Sequence, residues 1–134
     1  MTPFGPQLVG ETEKALGAVL ARVLDDTGLA ERQWVALRLA GQNDGRSELV
    51  GLISDRAHFA DAERIVASLT DRGLISGNRL SPAGQRLLEE LRTRVDSVAA
   101  PIWRELPPSD VAAAERLLNT VARRARSVLA EWES

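Results

Sequence analysis

The stretch LISGNRLSPAGQRLL, Leu74 to Leu88, decides how this chain folds. Gly77-Asn78 is a dipeptide that readily accepts positive φ. It separates two short runs carrying apolar residues, Leu74-Ile75-Ser76 and Arg79-Leu80-Ser81, and so predicts a tight β-hairpin. Ser81-Pro82 then starts a helix: a hydroxyl placed to accept a free amide, followed by a proline whose fixed φ and missing N–H suit the first helical position. Upstream, Arg72-Gly73 ends the preceding helix, with glycine relieving the strain of a left-handed cap. Helix, hairpin and helix follow one another with almost no slack.

The rest of the chain reads as helix. Met1 to Pro6 forms a flexible arm, and from about Val9 the residues Ala15, Leu16, Val19, Leu20, Val23 and Leu24 recur at three- and four-residue steps. Asp25-Asp26-Thr27-Gly28 ends that helix. A second runs from about Ala30 to Gly41 with Trp34, Leu37 and Ala40 on one face, and Asn43-Asp44-Gly45 is a turn. Ser47 is the expected N-cap of a short third helix burying Leu49, Val50, Leu52 and Ile53. A fourth covers roughly Asp61 to Arg72, burying Ile65, Val66 and Leu69. After the hairpin a long helix runs from Pro82 to about Ala100, where Pro101 kinks or ends it. Pro107-Pro108 breaks the chain, and Ser109 or Asp110 caps a last amphipathic helix.

A length of 134 residues suits one domain with a real core, or one protomer of an intertwined oligomer. The lack of cysteine excludes disulfides and thiolate zinc sites and fits a reducing compartment. The start MTPFGPQLVGE has no basic segment followed by an apolar run, and no stretch is apolar enough to span a bilayer. A soluble, cytoplasmic protein without a membrane partner is therefore expected. With a net charge of −2 and a pI of about 5.5, no global positive field favours nucleic acid, so any DNA contact must come from a local patch. Lys14 is the only lysine; arginine suits bidentate contacts to phosphate, carboxylate or guanine, although a GC-rich genome would leave the same bias.

Three short helices and a two-stranded hairpin make a winged helix-turn-helix, in which the helix before the hairpin enters the major groove. The expected fold class is mostly α with one small β-hairpin wing, flanked by long terminal helices suited to a dimer interface. In detail, LAERQWVALRLAG (Leu29 to Gly41), ERIVASLTDRGLI (Glu63 to Ile75) and RLSPAGQRLLEEL (Arg79 to Leu91) resemble the second helix, the recognition helix with its Gly-Leu exit, and the wing strand entering the dimerisation helix of MarR-type bacterial transcription regulators. The resemblance extends over nearly the whole chain. It implies a single MarR-like domain over 1–134, with the winged unit at 29–81 and dimerisation helices at 8–25 and 82–132. It further implies a homodimer on a pseudo-palindromic, double-stranded DNA operator, open to a small-molecule effector. One departure is the wing: family members usually carry a longer one with an Asp-x-Arg element, whereas here the tip is Gly77-Asn78 and Arg79 is its only charged residue.

Candidate contacts follow. On the recognition helix Asp61, Glu63, Arg64, Ala67 and Ser68 turn outward; Arg64 suits a guanine edge and Ser68 a base or phosphate. Arg46, Arg56 and Arg79 reach phosphates if they converge. From Asn43 to Ser81 the acids Asp44, Glu48, Asp55, Asp61, Glu63 and Asp71 slightly outnumber Arg46, Arg56, Arg64, Arg72 and Arg79, which works against a phosphate-binding face. Trp34, Arg38 and Phe59 are candidates for an effector pocket. His58, the only histidine, has Asp55 and Asp61 nearby in sequence, but a lone histidine is a weak signal for a metal ligand and reads as a turn residue; neither metal nor cofactor is expected. Arg123, Arg124 and Arg126 suit the C-terminal half of the last helix through its dipole. No glycine-rich phosphate loop or nucleophile arrangement exists, so an enzyme is not expected. The expectation is a homodimeric, DNA-binding transcription repressor. Its alternative is a winged-helix protein-interaction or ligand-binding module that has lost operator binding.

Overall fold

Leu74 is where the fold closes. Helix α4 (Ala62–Asp71) ends with Arg72, then Gly73 at φ 75°. The Gly73 N–H donates to the Thr70 carbonyl at 2.9 Å and the Leu74 N–H reaches back to the Leu69 carbonyl at 2.9 Å, the paired bonds of a glycine-terminated helix. Two two-residue strands follow, β1 (Ile75–Ser76) and β2 (Arg79–Leu80), antiparallel with Ile75 opposite Leu80 and Ser76 opposite Arg79. Gly77 takes φ 66° at the tip, the conformation its lack of a side chain permits. The Ser81 N–H donates to the Leu74 carbonyl at 3.0 Å. The Ser81 hydroxyl then caps α5 (Pro82–Trp103), accepting the Gly84 N–H at 3.0 Å and donating to the Gly73 carbonyl.

A computed structural model describes residues 1–133. Its other elements are α1 (Pro6–Leu24), α2 (Glu31–Asn43), α3 (Leu49–Ala57) and α6 (Pro108–Glu133), so the expected order of six helices and one hairpin holds. The chain divides into two compact units, Met1–Ala99 and the remainder from Ala100. In the first, the sealed centre comprises Leu37 of α2, Leu49 and Ile53 of α3, Leu69 of α4 and Leu91 of α5; Trp34, Ile65, Leu80 and Leu88 extend it. Each comes from the apolar stripe of its helix or the inward face of the hairpin, the periodicity that made the elements readable. Only the last turn of α1, Val23 and Leu24, is buried.

Several boundaries differ from the sequence expectation. Helix α1 begins at Pro6 rather than near Val9, because proline suits the first turn and Gly5 precedes it. Ser47 is not the cap of α3: its backbone is held by the Asn43 amide, and Glu48 caps instead, its carboxylate accepting the Gly51 N–H at 2.8 Å. Pro101 does not end α5, which runs on to Trp103. Helix α6 starts at Pro108, ahead of Ser109 and Asp110, with the Pro107 carbonyl accepting the Val111 N–H. No residue of α6 is buried within its own chain, and Val111, Leu117, Leu118, Val121, Val128, Leu129 and Trp132 of its apolar face are 40–82% exposed.

Gly84 packs so tightly on the hairpin that a Cβ there would stand 2.0 Å from the Leu74 carbonyl oxygen. Gly84→Ala should therefore destabilise the protein by about 1–3 kcal/mol, the cost of overpacking against immovable backbone. Gly51→Ala, at a helical position where the added Cβ would meet only the Glu48 carboxylate at 3.7 Å, should stabilise it by roughly 0.5–1 kcal/mol. Urea unfolding of both variants checks the opposite signs.

Candidate functional site

Helix α4 buries Ala62, Ile65 and Leu69, which leaves Glu63, Arg64 and Ala67 on the exposed side, as its periodicity predicts. Arg64 has no ion-pair partner among the described residues. Asp61, expected to face outward as a bare carboxylate, is instead paired with Arg32 of α2. The Arg32 guanidinium also lies over the Phe59 ring, 4.5 Å from its centroid, in cation–π geometry. Asp61 at the entry to α4 is thus offset by a cation 29 residues away along the chain, while Glu63 of the first turn stays exposed. Ser68 is half-buried and its hydroxyl is already engaged: it donates to the Ile65 carbonyl at 2.8 Å and accepts from Gln33 Nε2 at 3.1 Å. Gln33 in turn accepts the Ala30 N–H through Oε1 at 2.9 Å, tying the start of α2 to α4.

The hairpin tip is fastened to the corner between α2 and α3. The Asn78 carbonyl accepts the Gly45 N–H at 3.2 Å and Asn43 Nδ2 at 2.9 Å, and its side-chain Oδ1 accepts the Leu49 N–H at 2.9 Å, at the first residue of α3. Among the described residues Asn43 is the one buried polar residue; its amide also bonds the Ser47 N–H and carbonyl, both at 3.0 Å. Every buried side-chain polar atom among the described residues is satisfied, the Asn43 amide included, as burial requires. The Arg79 guanidinium lies against Gly45, so close that a Cβ at 45 would come 2.6 Å from its Nη2. Next to it, Arg46 and Arg56 line one half-open cavity of about 170 Å³ with Leu39, Leu52, Gln42 and Ser47. The structure thus gathers Arg46, Arg56 and Arg79 around one corner, while Arg64 stands on α4.

The three residues considered for an effector pocket are not gathered in this way. Trp34 is 4% exposed and belongs to the core, Arg38 is exposed, and Phe59 lies under Arg32. A cavity of about 320 Å³ lies elsewhere, between α2, β2 and α5, bounded by Gln42, Leu80, Gln85, Leu88, Glu89 and Arg92. In the second unit an apolar groove of about 520 Å³ is bounded by Trp103, Leu106, Val111, Ala114 and Leu118. His58 is the left-handed residue that ends α3, at φ 56°. Among the described residues no group of His, Cys, Asp and Glu could hold a metal ion, and no helix is long and apolar enough to cross a membrane.

Residues 45–130 match the sequence model of a helix-turn-helix family. No curated protein matches the chain in sequence. Two solved structures are similar in fold. One is CouR of Rhodococcus jostii RHA1 bound to p-coumaroyl-CoA: TM-score 0.72, 18% identity, 86% of this chain and 89% of that one. The other is the MarR family protein Rv2887 of Mycobacterium tuberculosis in complex with p-aminosalicylic acid: TM-score 0.68, 18% identity, 90% of this chain and 98% of that one. With the recognition-type helix, the hairpin and the flanking helices all in place, the chain belongs to a helix-turn-helix family and has the fold of the MarR-type winged-helix proteins.

Proposed function

We propose that this chain is a transcription regulator of MarR type: a homodimeric repressor that binds a pseudo-palindromic operator in the bacterial cytoplasm and is released by a small-molecule effector. The observation that carries the DNA-binding part is α4, which presents an unpaired Arg64 on the open side of a complete helix-turn-helix and whose entry residue Asp61 is offset by Arg32. In this role Arg64 reads a base edge, while Arg46, Arg56 and Arg79 serve the backbone and Ser68 acts by fixing α4 to α2. The apolar face of α6, bare within one chain, supports dimerisation through the helices within 8–25 and 82–132 around the winged unit at 29–81.

The neighbours in fold were solved with p-coumaroyl-CoA and p-aminosalicylic acid, which supports a small-molecule effector here. The cavity between α2, β2 and α5 has the size of a small-ligand pocket, and it joins the reading unit to a long helix. A ligand there would shift operator binding only by its differential affinity for two arrangements of the protein.

One observation favours the second possibility, a winged-helix interaction module without an operator. The Glu48 carboxylate occupies the N-terminal end of α3, a helix end that would otherwise attract phosphate. Fluorescence anisotropy on duplex from the gene's own upstream region, at ~50 and ~200 mM salt, separates the two. An operator-binding dimer should show a steep salt slope, and Arg64→Ala should weaken binding by about 1–3 kcal/mol while relaxing preference at one base pair. Sedimentation equilibrium at micromolar concentration should give the dimer. A monomer that binds no duplex at either salt concentration would instead favour the interaction module.

A further inference from the structure

We propose that the half-open cavity at the α2–α3 corner is a seat for a single phosphate-type oxyanion, gripped by Arg46 and Arg56. This goes beyond a general basic surface by naming one site and one group per chain, and it rests on the operator reading for only one of the two sources that group could have.

Four observations carry it. The cavity wall contains two guanidiniums and no carboxylate. Neither Arg46 nor Arg56 has an ion pair or side-chain hydrogen bond among the described residues, so both keep their planar donor forks for a ligand. None of the acids nearest in sequence, Asp44, Glu48 and Asp55, lines the cavity or pairs with either arginine, and Glu48 is committed to the Gly51 N–H. The floor is rigid: the buried Asn43 amide holds both the Ser47 N–H and carbonyl and is itself fastened to Asn78. The remaining wall offers only the apolar Leu39 and Leu52, the Ser47 hydroxyl and the Gln42 amide. This donor-rich, acceptor-poor lining selects an anion with several oxygens. At about 170 Å³ the space exceeds a single water's share of roughly 30 Å³ several-fold, enough for a tetrahedral oxyanion with attendant waters.

The phosphate could be one group of a duplex backbone or one carried by a small molecule. The shared chemistry is the same, and the two sources separate experimentally.

The experiment has two arms, using the full chain, its Arg46→Ala, Arg56→Ala and double variants, and Arg123→Ala as a control for any exposed arginine. In the first, inorganic phosphate is titrated against chloride at fixed ionic strength, with amide resonances followed by NMR. The seat predicts a saturable shift centred on Ser47 and Leu52, weakened at least ten-fold in the cavity variants and unchanged in Arg123→Ala. In the second, anisotropy is measured on duplexes in which single phosphates are replaced by neutral methylphosphonates. A duplex phosphate in the seat predicts that the double variant lowers the log–log salt slope by about 0.9 per protomer. It also predicts that one methylphosphonate position per half-site erases the difference between wild type and variant.

Phosphate shifts at the cavity without any duplex binding would establish the seat for a free phosphate group and sink the operator reading. Full duplex binding with an unchanged salt slope in the double variant, and no localised phosphate shift, would overturn the seat and leave the operator reading standing. Shifts that survive in the cavity variants would also overturn it. Well-dispersed variant spectra confirm that loss of binding is not loss of fold.

Discussion

The backbone of Leu74 is the constraint on which the winged helix-turn-helix unit depends. Its N–H closes α4, its carbonyl closes the hairpin through Ser81, and the same carbonyl leaves room only for a glycine at position 84 of α5. Three elements are thereby joined across one residue, and none of them could be displaced without breaking a buried hydrogen bond or forcing a backbone clash. Leu37, Ile53, Leu69 and Leu91 then fill the space this junction defines. Directional bonds fix the angle of approach, and apolar burial supplies the driving force.

Electrostatics at the surface of α3 and α4 is governed by which charges are spent internally. Counted along the chain, the segment around α3 and α4 is slightly acidic. Counted in space among the described residues, Asp61 is paired with Arg32 and Glu48 is bound to a helix N-terminus, while Arg46, Arg56, Arg64 and Arg79 have no carboxylate partner and Asp44, Asp55, Glu63 and Asp71 have no arginine partner. Arg32 thus brings one further positive charge to a segment that its own composition leaves slightly acidic, and a net charge of −2 does not describe the local field.

The elements were legible because their signals are local. The Gly77-Asn78 tip, the Ser81-Pro82 helix start and the Gly73 exit each stand where the sequence places them, since each depends on backbone preferences of a few adjacent residues. The exposed face of α4 followed from its period in the same way. What the sequence did not disclose lies in pairs distant along the chain. Arg32 with Asp61, Gln33 with Ser68, and Asn43 with Asn78 are 29, 35 and 35 residues apart, and no periodicity links them. Ser47 does not cap α3 for a local reason: the Asn43 amide, four residues earlier, holds its backbone, and Glu48 accepts the Gly51 N–H in its place. Trp34, a candidate for an effector pocket, lies on the apolar stripe of α2 and is buried in the core.

The double attachment of Asn78 has a mechanical consequence. A hairpin of two-residue strands hinged at one end would swing freely; fastened at its tip to Gly45, Asn43 and Leu49, it becomes a strut between two helices. Swinging the wing away from α2 and α3 would then cost the three hydrogen bonds that Asn78 makes, so hairpin and corner are coupled in any displacement of either.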